Sequence, residues 1–216
     1  MREVFQQELR EVQDRLVEMA EFVENAIENA TRAFNESDVS LAELVIADDR
    51  KIDSAALALD ELAINILARQ QPVARDLRIV VSALRISASL ERMGDLSEHI
   101  AQLARYRFPE KVVPSSLRET FHELGVLDVA IAKKLTELLR TEDLKLAEEI
   151  RNDDDRIDEL HVGVFDAVLG ETWKGAAVDT VDSTLASRYH ERFADHAVTI
   201  AKNIQYLATG EFSATA

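Results

Sequence analysis

The chain has 216 residues, with 25 Lys plus Arg against 41 Asp plus Glu, a formal net charge of −16 and no cysteine. That sign speaks against nonspecific nucleic-acid binding and against adsorption to anionic lipid, both of which run on Lys and Arg. The missing cysteines exclude disulfides, a thiolate nucleophile and a thiolate metal site, and 47% hydrophobic residues mark a globular chain with room for one large domain or two small ones.

Six Gly and three Pro leave little punctuation, so long helices are expected. The N-terminal stretch MREVFQQELREV is charged from its start and lacks the apolar centre of a signal peptide, so a cytoplasmic protein is expected. Phe5, Leu9, Val12, Leu16, Met19, Val23, Ala26, Ala30 and Phe34 recur at spacings of 4 and 3. This is one apolar stripe on a helix of about nine turns. Asn35 to Asp38 breaks it, and Asp38 or Ser40 can cap a second helix from about Val39 to Arg69. Gln70-Gln71-Pro72 ends that helix, and Pro72 suits the first turn of a third. The third helix shows the stripe Leu77, Val81, Leu84, Ala88, Glu91, Asp95 and runs to about Arg107. A linker follows from Phe108 to Ser116. Helices four to six are expected at about Leu117–Arg140, Leu144–Leu169 and Asp182–Thr209, with Gly170–Val181 as a loop. The longest stretch free of charged residues is Asn203–Gly210, far short of the roughly 20 apolar residues of a membrane span.

The pattern repeats internally. SDVSLAELVIADDRKID (37–53) aligns without gaps on EDLKLAEEIRNDDDRID (142–158), and SASLERMGDLSEHIA (87–101) on SRYHERFADHAVTIA (187–201). Two copies of one three-helix unit explain both matches. The expected fold is all-α: six long helices forming a tandem repeat of two antiparallel three-helix bundles, residues 1–110 and 115–216.

Acids recur at fixed phases in both copies. Glu91 and Asp95 are neighbours on one helix face and continue the third helix's apolar stripe; Glu191 and Asp195 repeat them. On the second helix of each copy, Asp49 and Asp53 flank Ile52, and Asp154 and Asp158 flank Ile157. A single acidic pair on a helix is ordinarily a solvated face; the doubling of four phases argues for more. Carboxylates at a buried edge can pair with Arg92, Arg192, Lys51 or Arg156, share protons, or bind metal. An all-oxygen set on neighbouring helices favours hard ions: calcium, magnesium, manganese or iron.

QQPVARDLRIVVSALRISASLERMGDLSEHIA (70–101) resembles the signature helix of the PhoU family of bacterial phosphate-transport regulators, and ASRYHERFADHAVTIAKNIQYLATGE (186–211) resembles its second copy. The resemblance covers nearly the whole chain. It implies a cytoplasmic, non-enzymatic regulator, peripheral to the membrane through its partners only. Those partners are the phosphate ABC transporter PstSCAB, through its ATPase PstB, and the sensor kinase PhoR. It implies negative regulation of phosphate uptake and of the phosphate-starvation regulon, and a homodimer is expected. It also implies multinuclear metal clusters on surface acids: Asp49, Asp53, Glu91 and Asp95, then Asp154, Asp158, Glu191 and Asp195. Iron is the foremost metal, with manganese, magnesium, calcium or zinc as alternatives. The family often has His after the motif Asp; His196 follows Asp195, whereas Leu96 follows Asp95, so the two sites are expected to differ.

The other candidates are sparse. Glu119 and His122 have the i,i+3 spacing of di-iron oxidases, but no mirrored pair accompanies them; a ferritin-like carboxylate-bridged metalloenzyme is the rival reading. His161 is an added-ligand candidate near the second cluster, and His196 is a candidate for orienting Asp195. No Gly-x-Ser-x-Gly elbow or glycine-rich phosphate loop exists. Arg75, Arg78 and Arg85 form a basic strip suited to salt bridges with a neighbouring helix or to an acidic partner.

Overall fold

The computed structural model describes residues 2–210; the outer limits of the two expected repeats, residues 1 and 216, lie outside them. Six α-helices follow one another: α1 Arg2–Glu36, α2 Val39–Gln70, α3 Ala74–Arg107, α4 Arg118–Thr141, α5 Leu144–Leu169 and α6 Ala177–Thr209. The breaks have local causes. Asp38 caps α2 by accepting the Leu41 N–H (3.0 Å), and Asp143 caps α5 by accepting from Lys145 (3.0 Å). Gly210, at φ 76°, stops α6 in the left-handed conformation that glycine adopts without strain.

Two boundaries differ from expectation. Pro72 precedes α3 rather than entering its first turn, because Gln71 turns left-handed (φ 45°) and Val73 is extended. α6 begins at Ala177, more than a turn before Asp182. The early start follows from two side chains: Asp179 accepts the Ala176 N–H (2.7 Å), and the Trp173 indole N–H donates to Thr180 Oγ1 (2.9 Å). Neither residue belongs to an apolar stripe, so periodicity cannot announce that turn.

Helices α1, α2 and α3 pack on one another, as do α4, α5 and α6; α1 against α4 and α3 against α6 join the two bundles. Both junctions are antiparallel. Arg140 reaches Glu21 (2.6 Å) and Lys133 lies 3.9 Å from Glu28; at the other seam Arg107 pairs with buried Asp182, and His99 stacks on Tyr189. The helices α2, α3, α6 and α5 therefore lie side by side, with α1 and α4 behind them. A single apolar core runs through both bundles, with Met19, Ile27, Ile52, Leu90, Phe121 and Phe193 among its largest fully buried side chains.

On α3 the apolar residues divide into two stripes. The core stripe is Val80, Ala83, Ile86, Leu90, Met93, Ile100 and Ala104. The sequence-predicted stripe is a different one: Leu77, Val81 and Ala88 are exposed, Leu84 is half-buried, and the line runs outward into Glu91 and Asp95. The acids do continue an apolar stripe, but one that borders solvent.

The second bundle carries one polar pair in its core. Asp128 Oδ2 and His190 Nδ1 are 2.5 Å apart, both buried, against the rings of Phe34 and Phe121. At the repeat offsets the first copy has Val23 and Leu90 there, also buried. Removing one member of a buried pair leaves the other uncompensated, at a cost of about 3 kcal/mol or more. Asp128→Ala is therefore expected to lower the unfolding free energy measured in urea by that much, whereas the double change Asp128→Val with His190→Leu recovers most of the loss.

Candidate metal centre

The first site is placed by the crossing of α2 and α3. A Cβ on Gly94 would lie 2.8 Å from Ile52 Cδ1 and 3.2 Å from Asp49 Oδ1. The absent side chain thus permits a backbone approach that a methyl would obstruct. Beside that contact, Asp49, Asp53 and Asp95 each present a carboxylate oxygen, all within 4.8 Å of one another. Glu91 adds its charge to Asp49, and Arg92 pairs with Asp95. Burial and the neighbouring acids push the Asp49 carboxyl up to about 7, and burial with Asp95 pushes Glu91 up. Glu98 also acts on Asp49. The sequence reading missed it, although it lies seven residues after Glu91 on the same helix face.

At the second site, between α5 and α6, the same four positions gather. Burial first, then Asp158, Asp195, Asp155 and Glu191, push the Asp154 carboxyl up to about 7. Asp158 and Glu191 are raised as well, burial again being the largest cause. Arg188 pairs with Glu191. Asp154 Oδ1 and Glu191 Oε2 are buried without a hydrogen-bond partner. Among the described residues, only the first site brings three acidic side chains into a tight convergence. Ala194, fully buried, stands where the first copy has Gly94.

The histidines divide by environment. His161 is half-buried, its Nδ1 3.0 Å from Ser187 Oγ and its ring edge-on to Phe165; burial and Arg188 lower its pKa. His196 lies at the seam between the bundles, where burial, then Arg192 and Arg92, lower its pKa against the opposing pull of Asp195. Glu119 and His122 are both exposed on α4. Arg78 of the basic strip lies over the Tyr206 ring (5.9 Å). Half-buried carboxylates with raised pKa values and unpartnered oxygens fit a hard cation, which would supply the missing positive charge and oxygen-binding capacity.

Two tandem three-helix bundles, each with an acidic seam at matched positions, define an all-α repeat protein. The PhoU domain model matches residues 16–104 and again 121–204. The chain belongs to the PhoU family. It is 40% identical over 212 residues to the phosphate-specific transport system accessory protein PhoU homolog 2 of Mycobacterium tuberculosis, covering 98% of this chain and 100% of that one. It is equally similar, at 40% over 212 residues and 98% and 96% coverage, to PhoU homolog 1 of Mycobacterium leprae. Crystal structures of PhoU from Streptococcus pneumoniae (TM-score 0.87, 25% identity, 98% and 100% coverage) and Pseudomonas aeruginosa (0.87, 27%, 96% and 100%) share its fold.

Two outcomes follow for the site. Gly94→Ala is expected to separate α2 from α3 by a few tenths of an ångström and to weaken Mn²⁺ binding at the first site several-fold, measured by calorimetry with the second site neutralised. A carboxyl whose folded pKa is raised binds more protons folded than unfolded, so its contribution is full at low pH and lost as pH rises. The metal-free protein should therefore lose stability between about pH 4 and pH 7 relative to Asp49→Asn/Asp154→Asn, and chemical denaturation across that range reads the difference.

Proposed function

We propose that the protein is a cytoplasmic, metal-binding adaptor that restrains phosphate uptake. It would couple the phosphate transporter's ATPase, PstB, to the sensor kinase PhoR, and bias the kinase away from its signalling state when phosphate is plentiful. The observation that carries this reading is the doubled acidic seam on a fold of accessory proteins. Burial raises the pKa of Asp49, Glu91, Asp154, Asp158 and Glu191 at these matched phases, so their ionised forms work against folding unless a cation or a partner uses them. The names of the relatives, phosphate-specific transport system accessory proteins, supply the pathway. The metal ligands are Asp49, Asp53, Glu91 and Asp95 at one seam and Asp154, Asp158, Glu191 and Asp195 at the other, with iron preferred. A homodimer remains the expected assembly.

Deleting the gene should derepress phosphate uptake and phosphate-starvation genes in phosphate-rich medium. Restoring a copy with Asp49, Asp95, Asp154 and Asp195 all changed to Asn should fail to repress, and that purified variant should lose the metal found in the natural protein by elemental analysis. Full repression by the metal-free variant would remove the cation from the mechanism and leave the adaptor role standing.

A further inference from the structure

The junction between the bundles has two ends, related by the internal repeat, and they are closed differently. At one end the N-terminal halves of α1 and α3 meet the last turns of α4 and α6 around a cavity of about 310 Å³. Val12, Leu16, Ile86, Leu139 and Ile204 give it a buried apolar floor. Gln6, Arg10, Gln13, Arg75 and Glu142 are exposed at its mouth. The other end has the same walls at the repeat offsets. Leu117, Phe121, Ala186, Phe34 and Ala104 stand there for the five floor residues in that order, and all are buried. The helix ends match as well: Ser37 after α1 and Glu142 after α4 both turn left-handed, at φ 60° and 56°.

At that other end the chain supplies its own occupant. The linker between α3 and α4 is tied to the last turn of α1: Ser37 Oγ donates to the Glu110 carbonyl (3.2 Å) and Lys111 Nζ to the Asn35 carbonyl (2.6 Å). The two residues that follow, Val112 and Val113, are buried in the core. A non-helical Lys-Val-Val segment is thus what walls of this shape accept in the copy that is closed. The residues after Gly210 do not repeat it, since positions 211–216 hold no Lys or Arg and no two adjacent branched aliphatics. A second copy's linker is already seated in its own chain. The mouth carries both signs, Arg10 and Arg75 against Asp76 and Glu142, so it does not single out a free anion or a lipid surface by net charge. The counterpart of Ser37 is Glu142, which sets a carboxylate beside the α4 carbonyls. A cation ahead of the aliphatic pair is therefore favoured more strongly here than at the linker's own end.

We propose that this cavity docks a non-helical segment of a partner protein in which a Lys or Arg precedes two branched aliphatic residues. The aliphatics sit on Leu16, Ile86, Leu139 and Ile204, and the cation sits on the end of α4 beside Glu142. The cavity's size and its apolar walls with a few polar groups at the rim, at an interface between two bundles, are those of a binding site. The proposal rests on the adaptor reading for the existence of a partner and gives that reading a docking surface separate from the acidic seams.

The test uses a fluorescein-labelled peptide of the linker's own sequence, PEKVVPS, titrated with the full chain up to millimolar concentration in EDTA so that metal plays no part. One control peptide, PEKSSPS, removes the aliphatics, and another, PEEVVPS, reverses the charge. Saturable one-to-one binding is expected for the first peptide, and at least tenfold weaker binding for either control. Ala83→Met, which fills the cavity from α3, should weaken binding at least tenfold while helicity is kept. Glu142→Lys, on an exposed residue, should weaken the Lys peptide and tighten the Glu peptide, an exchange that loss of fold cannot produce. Absence of saturable binding, equal binding of the Ser control, or a charge preference indifferent to Glu142→Lys overturns the proposal. Two further results overturn it by naming another occupant. One is at least tenfold tighter binding to a chain ended at Gly210, which assigns the cavity to residues 211–216. The other is a concentration-dependent dimer in sedimentation that Ala83→Met abolishes, which assigns it to a second copy. None of these results touches the adaptor role, whose failure shows as unchanged gene expression on deletion.

Discussion

The constraint that shapes this molecule is the repulsion among carboxylates that its own helix packing forces together. Two like charges 4.8 Å apart at an effective dielectric of about 20 repel by about 3 kcal/mol before solvent screening. Asp49, Asp53 and Asp95 contain three such pairs. What holds α2 on α3 against that is the apolar contact directly beneath. Ile52, Leu59 and Ile66 on α2, and Ile86, Leu90 and Met93 on α3, are all fully buried, each such burial contributing about 1.5–3 kcal/mol. Burial first, and then the charges of Asp53, Glu98, Asp95 and Glu91, push the Asp49 carboxyl up to about 7, so near neutral pH it is only partly ionised, and a cation would favour the ionised form.

Much of this was legible in the amino-acid order. The six helices follow from the scarcity of Gly and Pro, and the repeat from two ungapped matches. The acids that converge were named from their phases alone. What periodicity misread was the face of α3. That helix touches α1, α2 and α6, so its buried arc is wide. Much of that arc is Ser82, Ser87, Ser89, Gly94 and Ser97, small residues that permit close helix approach and carry no hydrophobic signal. The larger apolar residues left over lie on the open side and draw a cleaner 4-3-4 pattern than the core does. A helix packed on three neighbours defeats an argument that assumes one buried stripe.

The two copies have also diverged in ways that alignment treats as noise and packing does not. Gly94 against Ala194 is one methyl, yet in the first copy it falls against the side chains of Ile52 and Asp49. Leu96 against His196 exchanges an apolar seam residue for a polar one beside Arg92 and Arg192. Leu90 against His190 introduces a polar core pair with Asp128 in one bundle only. The chain therefore has two sites of one design and unequal geometry, which the duplicated motifs by themselves would describe as equal.

Apart from the exposed pairs of Asp95 with Arg92 and Glu191 with Arg188, the acids give the fold little. Each is half-buried or exposed at a seam, repels its neighbours, and could be replaced by Asn, Gln or Ser without a cavity. A protein shaped for stability alone would carry neutral residues there, as it carries Ser87 and Ser97 on the adjoining turns. The destabilising arrangement instead stands twice, at the same phases. Features that work against the native state locally, while every other level of the sequence agrees with the fold, are where function is expected to reside.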